Sequence, residues 1–171
     1  MSLVLIAGLL MTPPLAQAGD PLTPHQSWAL EYASMVGTSY YADPFPAGYQ
    51  YERTLQAVLI AESSLCRHKH GIDHQAYGCG QLHSAAAHAV ADAPVSAHTL
   101  KRDDALNIRL AARYLSYCLQ QMPTWQRGVV CYNKGPNHTR AMSETQVAAD
   151  GYLDIVRRRM READQLTASN D

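Results

Sequence analysis

Leu59-Ile60-Ala61-Glu62-Ser63-Ser64-Leu65 opens the stretch on which the reading of this chain turns. A histidine-rich segment follows, Cys66-Arg67-His68-Lys69-His70-Gly71-Ile72-Asp73-His74, and then Gln75-Ala76-Tyr77-Gly78-Cys79-Gly80-Gln81-Leu82. The first part has helical spacing: Leu55, Val58, Leu59, Glu62 and Leu65 recur at steps of three and four and share one face. Glu62 thus stands in an apolar stripe, where a carboxylate is costly unless it is paired or protonated. A buried glutamate with a raised pKa suits a general acid near neutral pH. A structural glutamate, hydrogen-bonded to backbone amides at a helix end, leaves the same trace in a sequence. The histidine-rich segment is polar and aperiodic and reads as a loop or irregular strands.

Working outward, the Glu62 helix is expected over residues 50–65. Before it, Thr23-Pro24-His25-Gln26 has the form of a capping box with proline at the first helical position. It predicts a helix over 24–39, with Trp28, Tyr32 and Met35 on one side. The Pro- and Gly-rich segment 43–48 reads as a loop. After the stretch come a short alanine-rich helix over 84–91 and a loop over 92–100. A strong helix is predicted over 102–121, its stripe formed by Ile108, Ala111, Ala112, Leu115 and Leu119. Pro123 stops it, and Thr124 can cap a helix over 125–134. Gly135-Pro136-Asn137 ends that helix. Ser143-Glu144-Thr145-Gln146 is a second capping box, opening a helix to about residue 166 with Val147, Tyr152, Ile155, Val156 and Met160 on its apolar face. The result is one mainly α domain with a small irregular or β segment beside Glu62.

The 171 residues suffice for one core, with 47% hydrophobic and 17% charged residues. A net charge of −1 argues against a nucleic-acid partner. Ten Tyr against one Phe leaves aromatic rings with polar tips for a groove. Residues 3–11 are apolar and Ala16-Gln17-Ala18 has the small-x-small form of a leader cleavage site, although no Lys or Arg precedes the run. The expected division is a leader over 1–18, a domain over 19–166 and a frayed tail over 167–171. The apolar run is too short to span a bilayer, so no stable membrane insertion is expected. The protein would act in the periplasm or outside the cell. Cys66, Cys79, Cys118 and Cys131 fit an oxidising compartment. They allow three pairings. If two helices fold back near Pro123, 118–131 is favoured and 66–79 remains, but the pairing stays open here, as does a free-thiol reading.

Four short motifs carry a family resemblance. Glu62-Ser63 resembles the catalytic Glu-Ser of the soluble lytic transglycosylases, members of the lysozyme-like superfamily. Ala76 to Leu82 resembles their Gly-Ala-x-Gly-Leu-Met-Gln motif, with Gln75 at the first glycine and Cys79-Gly80 in place of Leu-Met. Asn107-Ile108 followed by Ala112-Arg113-Tyr114-Leu115 resembles the Asn-Ile…Gly-x-x-Tyr-Leu helix, and Cys131-Tyr132-Asn133-Lys134-Gly135-Pro136 resembles Ala-Tyr-Asn-x-Gly-Pro. Tyr152 stands at a later family tyrosine. The resemblance spans about residues 50–156. It implies an α+β lysozyme-like fold and cleavage of the MurNAc–GlcNAc β-1,4 bond of peptidoglycan, ending in a 1,6-anhydro sugar. It implies Glu62 as acid and then base, with Ser63, Gln81, Tyr132, Asn133 and Tyr152 around the substrate and no cofactor. Gln81 can donate to and accept from a sugar substituent. Tyr132 would bond near Glu62 or stack beneath a sugar, Asn133 would support the site from its helix end, and Tyr152 would bond the Glu62 carboxyl. Small exported relatives often serve a secretion, conjugation or phage machine.

Other readings remain open. The family's serine, about nine residues after the glutamate, is replaced by Gly71. Asp73 lies nearby and could activate water, making the protein an inverting muramidase with carboxyls about 6.5–9.5 Å apart. His68, His70, His74 and His83 with Cys66 and Cys79 could form a zinc site on paper, though their spacing fits no standard ligand set, and no metal is expected. A peptidoglycan-binding assembly factor without turnover is the non-enzymatic alternative.

Overall fold

The computed structural model describes residues 21–39, 51–69 and 75–168. The expected leader over 1–18, the loop over 43–48, and Asp73 with His70 and His74 lie outside these residues. Within them the fold is mainly α, with nine helices and one two-stranded sheet.

The first helix, α1 (Pro24–Ser39), starts where its capping box dictates. The Thr23 amide donates to Gln26 Oε1 at 3.1 Å, and the Gln26 amide donates to Thr23 Oγ1 at 3.3 Å. Trp28, Tyr32 and Met35 do share a side, but that side faces outward: Trp28 and Met35 are exposed, and Ala29, Leu30, Ala33 and Val36 make the packed face. Small residues let α1 lie close to its neighbour. A Cβ on Gly37 would stand 2.6 Å from the Glu52 Cα.

That neighbour is α2 (Tyr51–Ser63), which ends two residues before the predicted 65. Every residue from Thr54 to Ser63 is buried, so the helix is enclosed on all faces and not on one stripe. It packs against α1 and against the later helices α5 (Asp104–Gln121) and α9 (Gly151–Ala168). The Tyr51 hydroxyl donates to the Ala112 carbonyl of α5, and Arg53 pairs with Asp164 of α9.

After α2 the chain forms the hairpin β1 (Ala76–Tyr77) and β2 (Leu82–His83), antiparallel with Tyr77 opposite Leu82. A short α3 (Ser84–Val90) follows. The expected loop over 92–100 contains α4 (Ala97–Arg102), because Ser96 Oγ accepts the Thr99 amide and caps it. For the same reason α5 begins after Asp103 and not at 102: the Asp103 carboxylate accepts the Leu106 amide at 2.8 Å.

The Pro123 turn folds α5 back onto α6 (Trp125–Lys134), which Thr124 caps as predicted. Gly128 lets the two meet, since a Cβ there would lie 2.5 Å from Leu119 Cδ2, and Cys118–Cys131 bridges them. An unpredicted α7 (Pro136–Ala141) follows Gly135, whose φ of 79° suits glycine. Buried Arg127 pins it to α6 by donating to the Thr139 and Met142 carbonyls, each at 2.8 Å.

The single helix predicted to 166 is two, α8 (Glu144–Ala148) and α9. Ser143 and Gln146 form the expected capping box of α8. The break comes at Asp150, whose carboxylate takes the Tyr152 and Leu153 amides and so starts a new helix. No helix of the described residues is long and apolar enough to cross a membrane.

Candidate active site

Glu62 lies one residue from the end of the enclosed helix α2 and is 7% exposed. Burial is the main influence on it and raises its pKa from 4.5 to about 7; a hydrogen bond from Tyr152 pulls the other way. That bond is short, the Tyr152 hydroxyl donating to Glu62 Oε1 at 2.6 Å from the first turn of α9. Tyr152 is itself buried, and desolvation followed by the nearby Glu62 charge holds its pKa well above the ordinary tyrosine range. It remains a donor across the physiological pH range. Oε1 is therefore held by the protein.

Ser63, expected at the substrate, is fully buried. Its hydroxyl donates to the Cys79 carbonyl at 2.7 Å and accepts the Cys66 amide at 2.9 Å. Both capacities are used inside the protein, where the side chain holds the wall beside Glu62. Ser64, Leu65 and Cys66 then run consecutively at positive φ, 52°, 55° and 67°. Three left-handed residues with side chains are costly, roughly 1 kcal/mol or more each. The turn they make is held by Ser63, by the Cys66–Cys79 disulfide and by a bond from Gln26 Nε2 to the Ser64 carbonyl at 3.1 Å.

The facing wall is the turn Gly78-Cys79-Gly80-Gln81 between β1 and β2. Asn107 of α5 organises it from beneath. Fully buried, it accepts the Gly80 amide at 2.7 Å and donates to the Tyr77 and Leu100 carbonyls at 2.9 and 3.0 Å. A Cβ on Gly78, at φ 75°, would meet the Asn107 amide at 2.2 Å; one on Gly80 would meet Ala111 Cβ at 2.5 Å and the Tyr132 hydroxyl at 2.8 Å. Both glycines are required for backbone to approach this closely. The Tyr132 hydroxyl donates to the Gly80 carbonyl at 2.7 Å. Its expected bond near Glu62 is thus directed to the turn instead, and the buried ring packs against Tyr114, centroids 5.5 Å apart. Tyr132 is close enough for the Glu62 charge to add to the burial that raises its pKa.

Gln81, half-buried at φ 47°, donates from Nε2 to the Gly78 carbonyl at 2.8 Å. That bond, with a longer one from the same nitrogen to the His68 carbonyl at 3.4 Å, orients the amide. Asn133 is exposed on α6. Lys69 and Gly78 close the base of the histidine-rich segment, the Gly78 amide donating to the Lys69 carbonyl at 3.0 Å. The Lys69 ammonium pairs with Asp104 at 2.6 Å, and His25 shares that carboxylate at 3.0 Å.

The zinc set loses two ligands, because Cys66 and Cys79 are joined, and His68 and His83 are exposed. Among the described residues His25, Cys66 and Asp104 come close enough to share an ion. The sulfur is in a disulfide and an ammonium already neutralises the carboxylate, so this donor set does not suit a metal.

A family model described as Transglycosylase SLT domain matches residues 47–155. The chain belongs to this family. The match takes in Glu62, the Gly78–Gln81 turn, Asn107, Tyr132 and Tyr152, which the fold gathers around one buried carboxyl. The transglycosylase family acts on peptidoglycan by lytic cleavage of its glycan strands, and the mainly α architecture with one small sheet is its lysozyme-like fold. Two disulfides fit the extracytoplasmic setting of that substrate. No curated protein and no solved structure matches the chain significantly.

Two contributors were missed from the sequence as site residues. Asn107 stands within one of the four motifs, and a buried amide beside a glycine-rich turn is the signal that marks it as a holder of backbone. Asp150 was hidden inside what reads as one continuous helix.

Proposed function

We propose that this protein is a lytic transglycosylase cleaving the MurNAc–GlcNAc β-1,4 bond of peptidoglycan, with Glu62 as the only acid–base residue. The observation that supports this best is the buried Glu62 carboxyl, raised to about pKa 7 and held through one oxygen by Tyr152. An acid of that pKa is partly protonated at neutral pH and gives up its proton readily.

Glu62 Oε2 donates its proton to the bridging oxygen as the bond to C1 breaks, releasing GlcNAc with a free hydroxyl. The N-acetyl oxygen of the MurNAc residue stabilises the electron-poor C1. The Glu62 carboxylate then takes the proton of the C6 hydroxyl as O6 bonds to C1. The product is 1,6-anhydroMurNAc, water is not consumed, and Glu62 ends protonated as it began. Tyr152 steadies both forms, since its hydroxyl can donate to a carboxylate or to the carbonyl of the acid. In this reading Gln81 offers its amide oxygen to a sugar substituent, its nitrogen being bonded to the Gly78 carbonyl, and Asn133, exposed on α6, makes polar contact with a bound strand. Tyr132 acts by holding the Gly80 carbonyl and so the turn that carries Gln81.

Digestion of purified sacculi with mass spectrometry of the products tests the reaction. Anhydro ends, lighter by one water than reducing ends, are expected. Reducing ends would assign hydrolysis, with Asp73 the residue to substitute next. Binding without release of muropeptides would make the protein a wall-binding factor. Glu62→Gln should lower release by about a hundredfold or more while retaining binding. We further propose that residues 1–18 are a leader removed near Ala18, placing the domain in the periplasm or outside the cell; amino-terminal sequencing of the exported protein should begin near Gly19.

A further inference from the structure

The bond between Tyr152 and Glu62 depends on where α9 begins, and one residue decides that. Asp150 is 8% exposed and lies between α8 and α9. Its Oδ1 accepts the amides of Tyr152 at 3.0 Å and Leu153 at 3.4 Å, the first-turn donors that have no partner within the helix. Its Oδ2 faces the Lys134 ammonium at 3.3 Å. Lys134 is the last residue of α6, the helix that carries Tyr132. The carboxylate therefore ties the start of one tyrosine-bearing helix to the end of the other. The negative group also suits the positive end of the α9 dipole.

We propose that Asp150 is a positioning residue for the Glu62 acid, fixing the Tyr152 hydroxyl on Oε1 by capping α9 against Lys134. The inference rests on the reading of Glu62 as the acid. Gly151, the residue next to Tyr152, has no side chain to replace Asp150 in this role. Ala148 and Ala149 before it offer no acceptor either. Asp150 alone, among residues 148–151, can take the Tyr152 amide through a side chain.

The groups that bear on Glu62 come from several elements. They are Tyr152 on α9, in direct contact, and Tyr132 on α6; Tyr51 on α2 and Tyr114 on α5 stand behind Tyr132, and Asp150 behind Tyr152. Only Tyr152 hydrogen-bonds the carboxyl among the described residues, and its donation favours the carboxylate. Loosening it raises the Glu62 pKa. Removing the Asp150 charge, acting through space alone, would lower it. The two effects have opposite signs, so the pH profile separates them.

The test is kcat/KM against pH on soluble glycan strands, for wild type, Asp150→Ala, Asp150→Asn, Tyr152→Phe and the double variant. Asp150→Ala is expected to move the alkaline limb upward by about one pH unit and to lower kcat about tenfold, with KM little changed. Asp150→Asn keeps the capping oxygen and should hold the limb near its wild-type position. Tyr152→Phe should move the limb as Asp150→Ala does, and combining the two should add no further movement. An alkaline limb that stays still or falls in folded Asp150→Ala overturns the proposal, and so does full additivity with Tyr152→Phe. If Asp150→Ala does not fold, Asp150→Gly removes the same carboxylate at a helix start that glycine tolerates. A smaller upward movement is then expected, and an unmoved limb overturns the proposal. Glu62→Gln is the reference. If it retains turnover, the acid assignment and the positioning role fall together; if it is inactive while the Asp150 profiles are unmoved, the positioning role alone fails.

Discussion

At the scale of single residues, Glu62 is held at a cost to the fold. Its pKa is raised on folding, so the native state binds the proton more tightly than the unfolded chain does. The neutral form is accommodated below about pH 4.5, and stability is lost as pH rises through about 7. A rise from 4.5 to about 7 corresponds to about 3 kcal/mol when each pKa unit is worth about 1.4 kcal/mol. Glu62→Gln carries no such charge. It should therefore raise the melting temperature relative to wild type at pH 8 and leave it little changed at pH 4, as calorimetry at the two pH values would show. An unchanged difference between the two would mean that Glu62 is solvated. Gly80→Ala makes a second residue-scale prediction. Its Cβ would press on the Tyr132 hydroxyl and Ala111, both in place in the folded core. Activity should fall at least tenfold, with about 1–3 kcal/mol lost in urea unfolding, because the turn carrying Gln81 must move.

At the scale of elements, the two disulfides do different work although each joins residues thirteen apart. Cys118–Cys131 ties two packed helices whose contact already rests on Gly128 and Leu119. Replacing that pair by serine should cost about 2–4 kcal/mol in stability and leave the folded protein's rate of muropeptide release close to wild type. Cys66–Cys79 ties the left-handed turn after Glu62 to the Gly78–Gln81 turn. Without it, three residues at positive φ lose the covalent one of their restraints. The Cys66→Ser, Cys79→Ser protein should lose kcat by more than its change in stability explains. Comparing urea midpoints with muropeptide release rates would separate the two pairs; equal effects on both would remove the distinction. Gly128→Ala should also destabilise by about 1–3 kcal/mol, since its Cβ would overlap Leu119. The helix boundaries show what local signals can carry. Thr23, Thr124 and Ser143 announce their helices because a cap acts over three residues. Asp103 and Asp150 cap equally well but sit inside runs that already have helical periodicity, so nothing nearby says that the run stops there.

At the scale of the whole molecule, the fold encloses α2 and leaves the aromatic side of α1 in solvent. The His25, Trp28 and Tyr32 rings stack in series, with centroids 5.3 and 5.2 Å apart, and Tyr32 accepts a bond from Arg109 of α5. Aromatic spacing predicted a shared side for Trp28, Tyr32 and Met35 correctly and gave no sign that it faces outward. The smaller residues Ala29, Ala33 and Gly37 permit the closer approach to α2, and close approach buries more backbone and side chain per residue. The sequence by itself determined the mainly α class, the order of the principal helices, the four motifs and the place of Glu62 in an apolar stripe, because periodicity, capping and family spacing are local properties. The tertiary structure decided what those residues do for one another. It turned Ser63 inward, aimed Tyr132 at Gly80, set Asn107 beneath the turn and brought about the bond from Tyr152 to Glu62 that the family resemblance implies. Partners such as Tyr152 and Glu62, ninety positions apart, meet only when α9 packs on α2. Hydrogen-bond direction and burial follow from that packing and leave no periodic trace in the chain.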